Sequence, residues 1–495
     1  MTDDTDNSTQ EYKYITTTLP YINGQPHLGH AFEFVRADAV ARFKRLEGFT
    51  VFFNTGTDEH GQKVLKQAEE EGLSVQEFAD KYSQNFKDLL ADLSISNDAF
   101  VRTTDTAHKQ AAQAFWQRCD DNGDIYKKKY RGLYCVGCEL FVSEKDLNEE
   151  GECPDHPGQD PLEIEEENYF FRFSKYQDEL LKLYEENPDF VVPNGRFNEI
   201  KRFVEGGLED FSISRVAEKM PHGVPVPGDD SQVMYVWFDA LSNYISTLGW
   251  PEDEENFTHF WAEGAPLQFC GKDNIRQQAA MWQAMLLSAG LPPSNQIVIH
   301  GHIKSDGRKM SKSVGNVIDP QEIITEYGAD VLRYYLLRHL HPFEDPDMTL
   351  ESIKEAYNAN LANGLGNLVS RVVNMYVSYD VEVAIDHEAD VALEQKDGAA
   401  LVEFINSYRF DRALDYIWAE IAHLDVFIAE NEPYKLIKSD DPAQVEEAKQ
   451  AVAYLVLRLF DIASMLTPFM PETAAEIKRV IAAKEKPEPL FERKE

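Results

Sequence analysis

Basic residues are scarce in this chain: 48 Lys and Arg stand against 87 Asp and Glu, a formal net charge of −39. Such a surface repels polyanions over a Debye length of about 8 Å at physiological salt, shrinking to about 3 Å at 1 M. The composition therefore points to a high-salt cytoplasm, where repulsion is screened and carboxylates keep the protein soluble. No apolar run approaches the roughly 18 residues that suggest a membrane helix. Met1 to Gln10 lack the basic and apolar stretches of a secretory signal and read as a disordered leader. Only five cysteines occur in 495 residues, too few for a disulfide-built scaffold. Internal repeats and long low-complexity linkers are missing too, and the length suits several domains with buried cores.

Two short segments carry most of the chemical information. Pro20-Tyr21-Ile22-Asn23-Gly24-Gln25-Pro26-His27-Leu28-Gly29-His30 follows an apolar and Thr-rich run, Tyr14 to Leu19, and opens an amphipathic stretch, Ala31 to Leu46. The pattern predicts a strand, a glycine turn and a helix N-terminus. Glycine lets the backbone come close to a nucleotide, the helix end offers unpaired N–H groups, and imidazoles at i and i+3 share a face. The second segment, Lys309-Met310-Ser311-Lys312-Ser313, sits between Asp306-Gly307 and Val314-Gly315-Asn316. Two ammonium groups on such a loop suit a pyrophosphate whose charge develops and then leaves. Each segment alone is as well read as surface histidines or a solvated loop; in this order they reinforce each other.

Three of the five cysteines fall in Cys135-x2-Cys138-x14-Cys153-x2-His156. Two close ligand pairs separated by a loop suit one tetrahedral Zn2+ better than buried thiols or disulfides. Four protein ligands leave no open position for water, so the zinc should be structural. Cys119 and Cys270 read as small buried residues. Lys127, Lys128, Lys129 and Arg131 form a local basic cluster, and Lys435 with Lys438 another; each is equally well a solvated face.

Along the chain, the order predicts a discontinuous α/β domain. Its first half spans residues 11–116 and includes a strand from Thr50 to Asn54 that runs into Thr55-Gly56-Thr57-Asp58-Glu59-His60-Gly61, placed at a strand's carboxyl end where open sheets bind ligands. An insertion, 117–230, holds the basic cluster and the cysteines. Strands at Gln232 to Phe238, Leu267 to Cys270 and Gln296 to His300 then complete the sheet over 231–300. A loop-bearing connector, 301–355, leads to helical patterns over 356–483 and a tail, 484–495.

The His27 and Lys309 segments resemble the HIGH and KMSKS signatures of class I aminoacyl-tRNA synthetases. Thr18-Leu19-Pro20-Tyr21, Gly56 to Gly61, Tyr235-Val236-Trp237-Phe238-Asp239-Ala240, Gly271-Lys272-Asp273 and Asn360 to Leu368 extend the likeness to the methionyl-tRNA synthetase family over nearly the whole length. The resemblance implies an α/β fold: a Rossmann-like parallel-sheet catalytic domain with an inserted zinc-knuckle connective domain, followed by an all-α anticodon-binding helical bundle. It implies that ATP and L-methionine form methionyl-adenylate and that the methionyl group passes to tRNA(Met), with Mg2+ accompanying ATP. His27, His30, Lys309 and Lys312 would be catalytic, and together with Gly29, Gly271, Asp273 and Ser311 would bind ATP. Leu19, Tyr21, Asp58, Trp237, Ala240, Leu241, Tyr244 and Gln278 would line the methionine pocket, and Asn367, Arg371 and Tyr434 would meet the anticodon. Neither a membrane nor DNA is an expected partner, and a monomer is expected in the absence of the appended dimerisation module.

Three positions depart from the family pattern. Gln278 stands where members commonly place a pocket His, offering an amide but no ring. Tyr434 follows Pro433 where a Trp is usual; a phenol still stacks on a base. His222 also stands where Trp is frequent. A synthetase for Leu, Ile or Val usually needs a large editing insertion, because one methylene discriminates by only about 1–3 kcal/mol. The insertion at 117–230 is short. A non-catalytic tRNA-binding paralogue should have lost the ATP residues, all of which are present.

Overall fold

The computed structural model describes residues 11–135, 140–142, 147–148, 150–154, 158, 160–305, 307–310, 318–384 and 398–495. Two compact units emerge: Met1–Pro26, Phe49–Leu89 and Asn97–His300 form one, and His27–Gly48, Leu90–Ser96 and Gly301–Glu495 the other.

Strands of the first unit are β1 (Tyr12–Thr17), β2 (Thr50–Thr57), β3 (Ala99–Arg102), β4 (Ile125–Cys135), β5 (Leu140–Val142), β6 (Leu162–Phe171) and β7 (Val191–Val192). They continue with β8 (Phe211–Ser212), β9 (Ser214–Val216), β10 (Pro225–Val226), β11 (Asp229–Met234), β12 (Leu267–Gly271) and β13 (Gln296–His300). Six of them form a parallel sheet in the order β3-β2-β1-β12-β13-β7. Segments such as Ile297-Val298-Ile299 in β13 are wholly buried, as a parallel sheet covered on both faces requires. Strand β1 lies between β2 and β12, so the chain leaves it towards opposite edges. This is the switch point at whose carboxyl end open sheets hold ligands. Gly56 keeps β2 and β3 close: a Cβ there would stand 1.8 Å from the Val101 carbonyl oxygen.

The expectation of a sheet strand from Gln232 to Phe238 is corrected. Strand β11 ends at Met234 and pairs antiparallel with β10 and β9 in a separate three-stranded sheet. A helix then runs over Val236–Leu241, because Trp237 and Leu241 follow the helical period rather than alternation. The insertion also contains the sheet β5-β4-β6-β8. There Lys129 lies opposite Glu167 and Arg131 opposite Glu165, and Arg131 and Lys127 pair with Glu163 and Asp229 at 2.7 Å each. Opposite charges across a ladder stabilise it; this basic cluster is a charge-balanced sheet face.

In the second unit the helix Leu28–Leu46 is fastened by Asp38, whose carboxylate pairs with Arg333 at 2.7 Å with both side chains fully buried. Arg333 also donates to the Leu93, Pro468 and Phe469 carbonyls, while Asp38 accepts from Ser96 and Arg42. Arg36 lies over the rings of Phe32, Phe343 and Phe410, and burial lowers its guanidinium to about 9. Long helices follow, Phe410–Asn431, Pro442–Leu466 and Pro471–Ala483. The last residues pack back on the helix Tyr357–Gly366: Tyr357 donates to the Glu492 carbonyl, and Asn358 exchanges hydrogen bonds with Lys494.

Candidate active site

Within the first unit, the loops after β1 and β2 are tied together. The Asp58 N–H donates to the Pro20 carbonyl at 2.9 Å, and the Ile22 N–H donates to the Asp58 carbonyl at 3.3 Å, so Tyr21 and Asp58 form a parallel bridge. Leu19 and Asp58 are buried at 7% and 2% exposure. The Tyr21 ring meets Trp237 edge to face with centroids 6.1 Å apart, in a small apolar cluster with Tyr235 and Val236. Trp237 is 9% exposed, and its indole N–H has no hydrogen-bond partner among the described residues. Leu241 and Tyr244, on the same stretch of chain, also belong to the large buried core of this unit. The Gln278 side-chain N–H2 donates to the Tyr244 hydroxyl at 2.7 Å, and its carbonyl oxygen accepts from Gln268 at 3.4 Å. The amide thus takes up a hydrogen-bonding post beside Tyr244 that needs no imidazole. At the end of β12, a Cβ on Gly271 would stand 2.6 Å from Asp273 Oδ1.

Asp58, Glu59 and His60 have separate duties. Glu59 is fully buried and accepts from Arg102 Nε at 2.7 Å, Thr57 at 2.8 Å, and Thr104. His60 Nδ1 pairs with Asp239 Oδ2, while the other Asp239 oxygen accepts from His108 Nε2 at 2.8 Å. Burial would raise the Asp239 carboxyl; the flanking His60 and His108 imidazoles outweigh it and hold the group well below the usual carboxylate range. His222 lies 6.1 Å from His60 ring to ring and donates to the Gly61 carbonyl at 3.1 Å. Burial, aided by His60, lowers the His222 imidazole to about 4. The sequence reading did not single out Glu59, Arg102, His108, Asp239 or Arg215 as site residues. Arg215, 3% exposed, stacks over Tyr235 and Tyr134 at 4.5 and 4.9 Å. The Asp58-Glu59-His60 run was a signal for the first of them; His108 and Arg215 had no local one.

In the second unit, His27 caps the helix that it opens. Its Nδ1 accepts from the Gly29 N–H at 3.0 Å, and His30 Nδ1 accepts from the His27 N–H at 3.2 Å, a reciprocal capping box. The two rings stack at 3.8 Å. A Cβ on Gly29 would approach the His27 ring to 2.8 Å, so a larger residue there would have to push the capping ring aside. Ser311 and Lys312 lie outside the described residues, and so does the Lys309 side chain. The strands β14 (Lys304–Ser305) and β15 (Arg308–Lys309) pair antiparallel just before them. Asp347 accepts from the Gly307 N–H at 3.1 Å, and Asp345 from the His302 N–H at 2.9 Å.

On the helical side, Asn367 and Arg371 share a face of the helix Asn367–Ser378. Arg371 pairs with Asp425 at 2.7 Å, both about two-fifths exposed. Tyr434 is 40% exposed in the short helix Pro433–Leu436. Of the zinc ligands, Cys135 closes β4 opposite Leu140, and both it and Cys153 are buried at 2% and 3% exposure. Cys138 and His156 lie outside the described residues, among which no group of three or more potential metal ligands occurs. No helix among them is long and apolar enough to cross a membrane.

The family model described as tRNA synthetases class I (M) matches residues 13–160 and 155–373. Over 488 residues the chain is 43% identical to a methionine–tRNA ligase of Thermotoga maritima, covering 96% of this chain and 76% of that protein. A Brucella suis methionine–tRNA ligase is 41% identical, with 96% and 92% covered. A solved Mycobacterium tuberculosis methionyl-tRNA synthetase in complex with methionyl-adenylate superposes with a TM-score of 0.88 at 38% identity, covering 95% of this chain and 94% of that one.

Proposed function

We propose that this chain, which belongs to the class I tRNA synthetases (M), is a methionine–tRNA ligase: it activates L-methionine with ATP and charges tRNA(Met). The observation that carries the reading is the joining of Asp58 and Trp237 through Tyr21 at the sheet's switch point, in a chain alike over nearly its full length to a synthetase solved with methionyl-adenylate.

In this reading Asp58 pairs with the substrate ammonium while Leu19, Tyr21, Trp237, Ala240, Leu241, Tyr244 and Gln278 surround the thioether, a soft side chain suited to aromatic contacts. The methionine carboxylate attacks the α-phosphorus of ATP, and the bond to the bridging oxygen breaks to release pyrophosphate. Gly271 and Asp273 hold the ribose, and Gly29 lets phosphate near the helix end that His27 and His30 line. Lys309, Ser311 and Lys312 meet the leaving charge, with Mg2+ carried in by ATP. A terminal hydroxyl of tRNA then attacks the acyl carbon and AMP departs. Substrates supply both nucleophiles; the protein contributes position and charge. Asn367, Arg371 and Tyr434 read the anticodon. Methionine-dependent exchange of pyrophosphate into ATP, run beside leucine, isoleucine and valine, tests the reading; exchange with another amino acid, or none, overturns it.

Cys135, Cys138, Cys153 and His156 would hold one structural zinc, supported by the burial of the Cys135 thiol, at the end of β4, and of the Cys153 thiol; its coordination would lock the insertion's fold. Cys153→Ser should lower zinc from one equivalent towards none by elemental analysis, and a parent protein without stoichiometric zinc would refute the site. The excess of 87 acidic over 48 basic residues supports adaptation to high salt. Full activity at low salt with loss in molar KCl would count against that adaptation.

A further inference from the structure

We propose that His60, acting through Asp239, is a positioning residue for amino-acid binding: it fastens the loop that carries Asp58 to the helix that carries Trp237 and Ala240. The inference rests on the function proposed above and deepens it.

The three groups form one buried chain. His60, Asp239 and His108 side chains are each 1% exposed. Each Asp239 oxygen has its own imidazole donor, and His108 is held in turn by Ser246 Oγ at 2.8 Å from its Nδ1. A carboxylate taken out of water is costly unless both oxygens are satisfied, so this arrangement has little freedom to slip. What it joins matters more than what it stabilises. His60 lies two residues from Asp58, and its backbone N–H is directed at Asp58 Oδ1 at 3.4 Å. Asp239 lies on the helix Val236–Leu241, two residues beyond Trp237. Residues two apart on a helix point roughly 200° from one another, so Trp237 can face Tyr21 while Asp239 faces the opposite way to His60. Asp239 therefore acts on the pocket through its neighbours. A separate tie, Asn54 Nδ2 to Asn243 Oδ1 at 3.2 Å, joins β2 to the next short helix, Asn243–Ser246, whereas His60 and Asp239 join the Asp58 loop to the helix Val236–Leu241.

The test uses three substitutions in the full chain. His60→Phe keeps a ring and removes the donor. His60→Asn places an amide N–H2 near the position of Nδ1 and keeps it. His60→Gln sends its amide towards the Nε2 position, away from Asp239. Methionine affinity is measured by calorimetry, and KM for methionine and for ATP separately by pyrophosphate exchange. Small misplacements at a reacting site cost up to about 100-fold; we expect His60→Phe to raise the methionine Kd and KM about 30-fold. KM for ATP should stay within about threefold, and His60→Asn should recover methionine binding to within about fivefold of the parent. Where His60→Phe does not fold, His60→Gln against His60→Asn decides by the same split. Methionine and ATP constants rising together, or Asn no better than Phe and Gln, would mean that the network merely supports the fold. A parent protein that binds no methionine overturns the function reading and this inference with it; a parent that binds while the variants show no split overturns this inference alone.

Discussion

Asp239 and Asp425, one in each unit, are both carboxylates beside basic partners, yet they are built differently. Asp239 is buried, each oxygen has a donor, and its carboxyl is held well below the usual range. Asp425 is 36% exposed and has Arg371 on one oxygen; partial burial raises its carboxyl more than Arg371 lowers it. The first arrangement is fixed before any ligand arrives. The second is a surface ion pair, worth about 0–1 kcal/mol, which another anion or a base edge can replace. The proposed amino-acid pocket, which has to tell one small side chain from another, calls for the first kind; the proposed anticodon face, which has to release tRNA after each turnover, is served by the second.

The sharpest way to break this contrast is inside the pocket. Asp58→Asn removes the charge proposed for the substrate ammonium while keeping the size and the backbone bridge to the β1 loop. Losing one partner of a desolvated charge pair typically costs about 2–5 kcal/mol, so KM for methionine should rise about 30-fold or more. Adenylate formation at saturating methionine should fall less. A change under threefold would mean that the pocket does not depend on this charge.

A second, smaller effect concerns acid. In the fold His222 is lowered from 6.5 to about 4, so between those values the unfolded chain binds the extra proton and the folded one does not. Its contribution is therefore complete above pH 6.5 and is lost as pH falls towards 4, by about 1–2 kcal/mol allowing for the ring's partial exposure. His222→Gln keeps a donor for the Gly61 carbonyl and cannot titrate. Urea midpoints at pH 7 should match the parent's, while the drop between pH 6.5 and 4.5 should shrink; an unchanged drop removes His222 from the account.

The regions differ also in how far they were legible. Segments read by period and turn chemistry came through: Thr50 onwards as β2, Gln296–His300 as β13, and His27 at a helix start. The error at Gln232 to Phe238 arose because an apolar run at a strand end and the first turn of a buried helix look alike over six or seven residues. The bridge between Tyr21 and Asp58 and the clamp on Asp239 were not readable, since they join residues far apart in sequence, and His108 carries no local mark of its partner. Likewise, the Arg131 cluster looked basic until β6 supplied the facing acids.

The smallest expected effect lies on the helical side and probes whether its looser construction serves recognition. Arg371 and Asn367 lie one helical turn apart, and the Arg371 guanidinium is already bound to Asp425, a carboxylate on the helix whose end leads to Tyr434. Exchange of that weak pair for a base edge costs little, and unstacked anticodon bases offer such edges to guanidinium and amide groups and flat faces to a phenol. Arg371→Ala should therefore lower charging of tRNA(Met) roughly tenfold, the about 1–3 kcal/mol that an arginine hydrogen-bonded to a base commonly supplies. Methionine-dependent exchange without tRNA should stay within twofold, because no step of adenylate formation uses this helix. The melting temperature should also stay near the parent's, since a surface ion pair contributes so little. If exchange and charging fall together, Arg371 supports the helical fold and has no reading role. If neither falls, recognition rests on Asn367 and Tyr434, and the pair with Asp425 is an ordinary surface bridge.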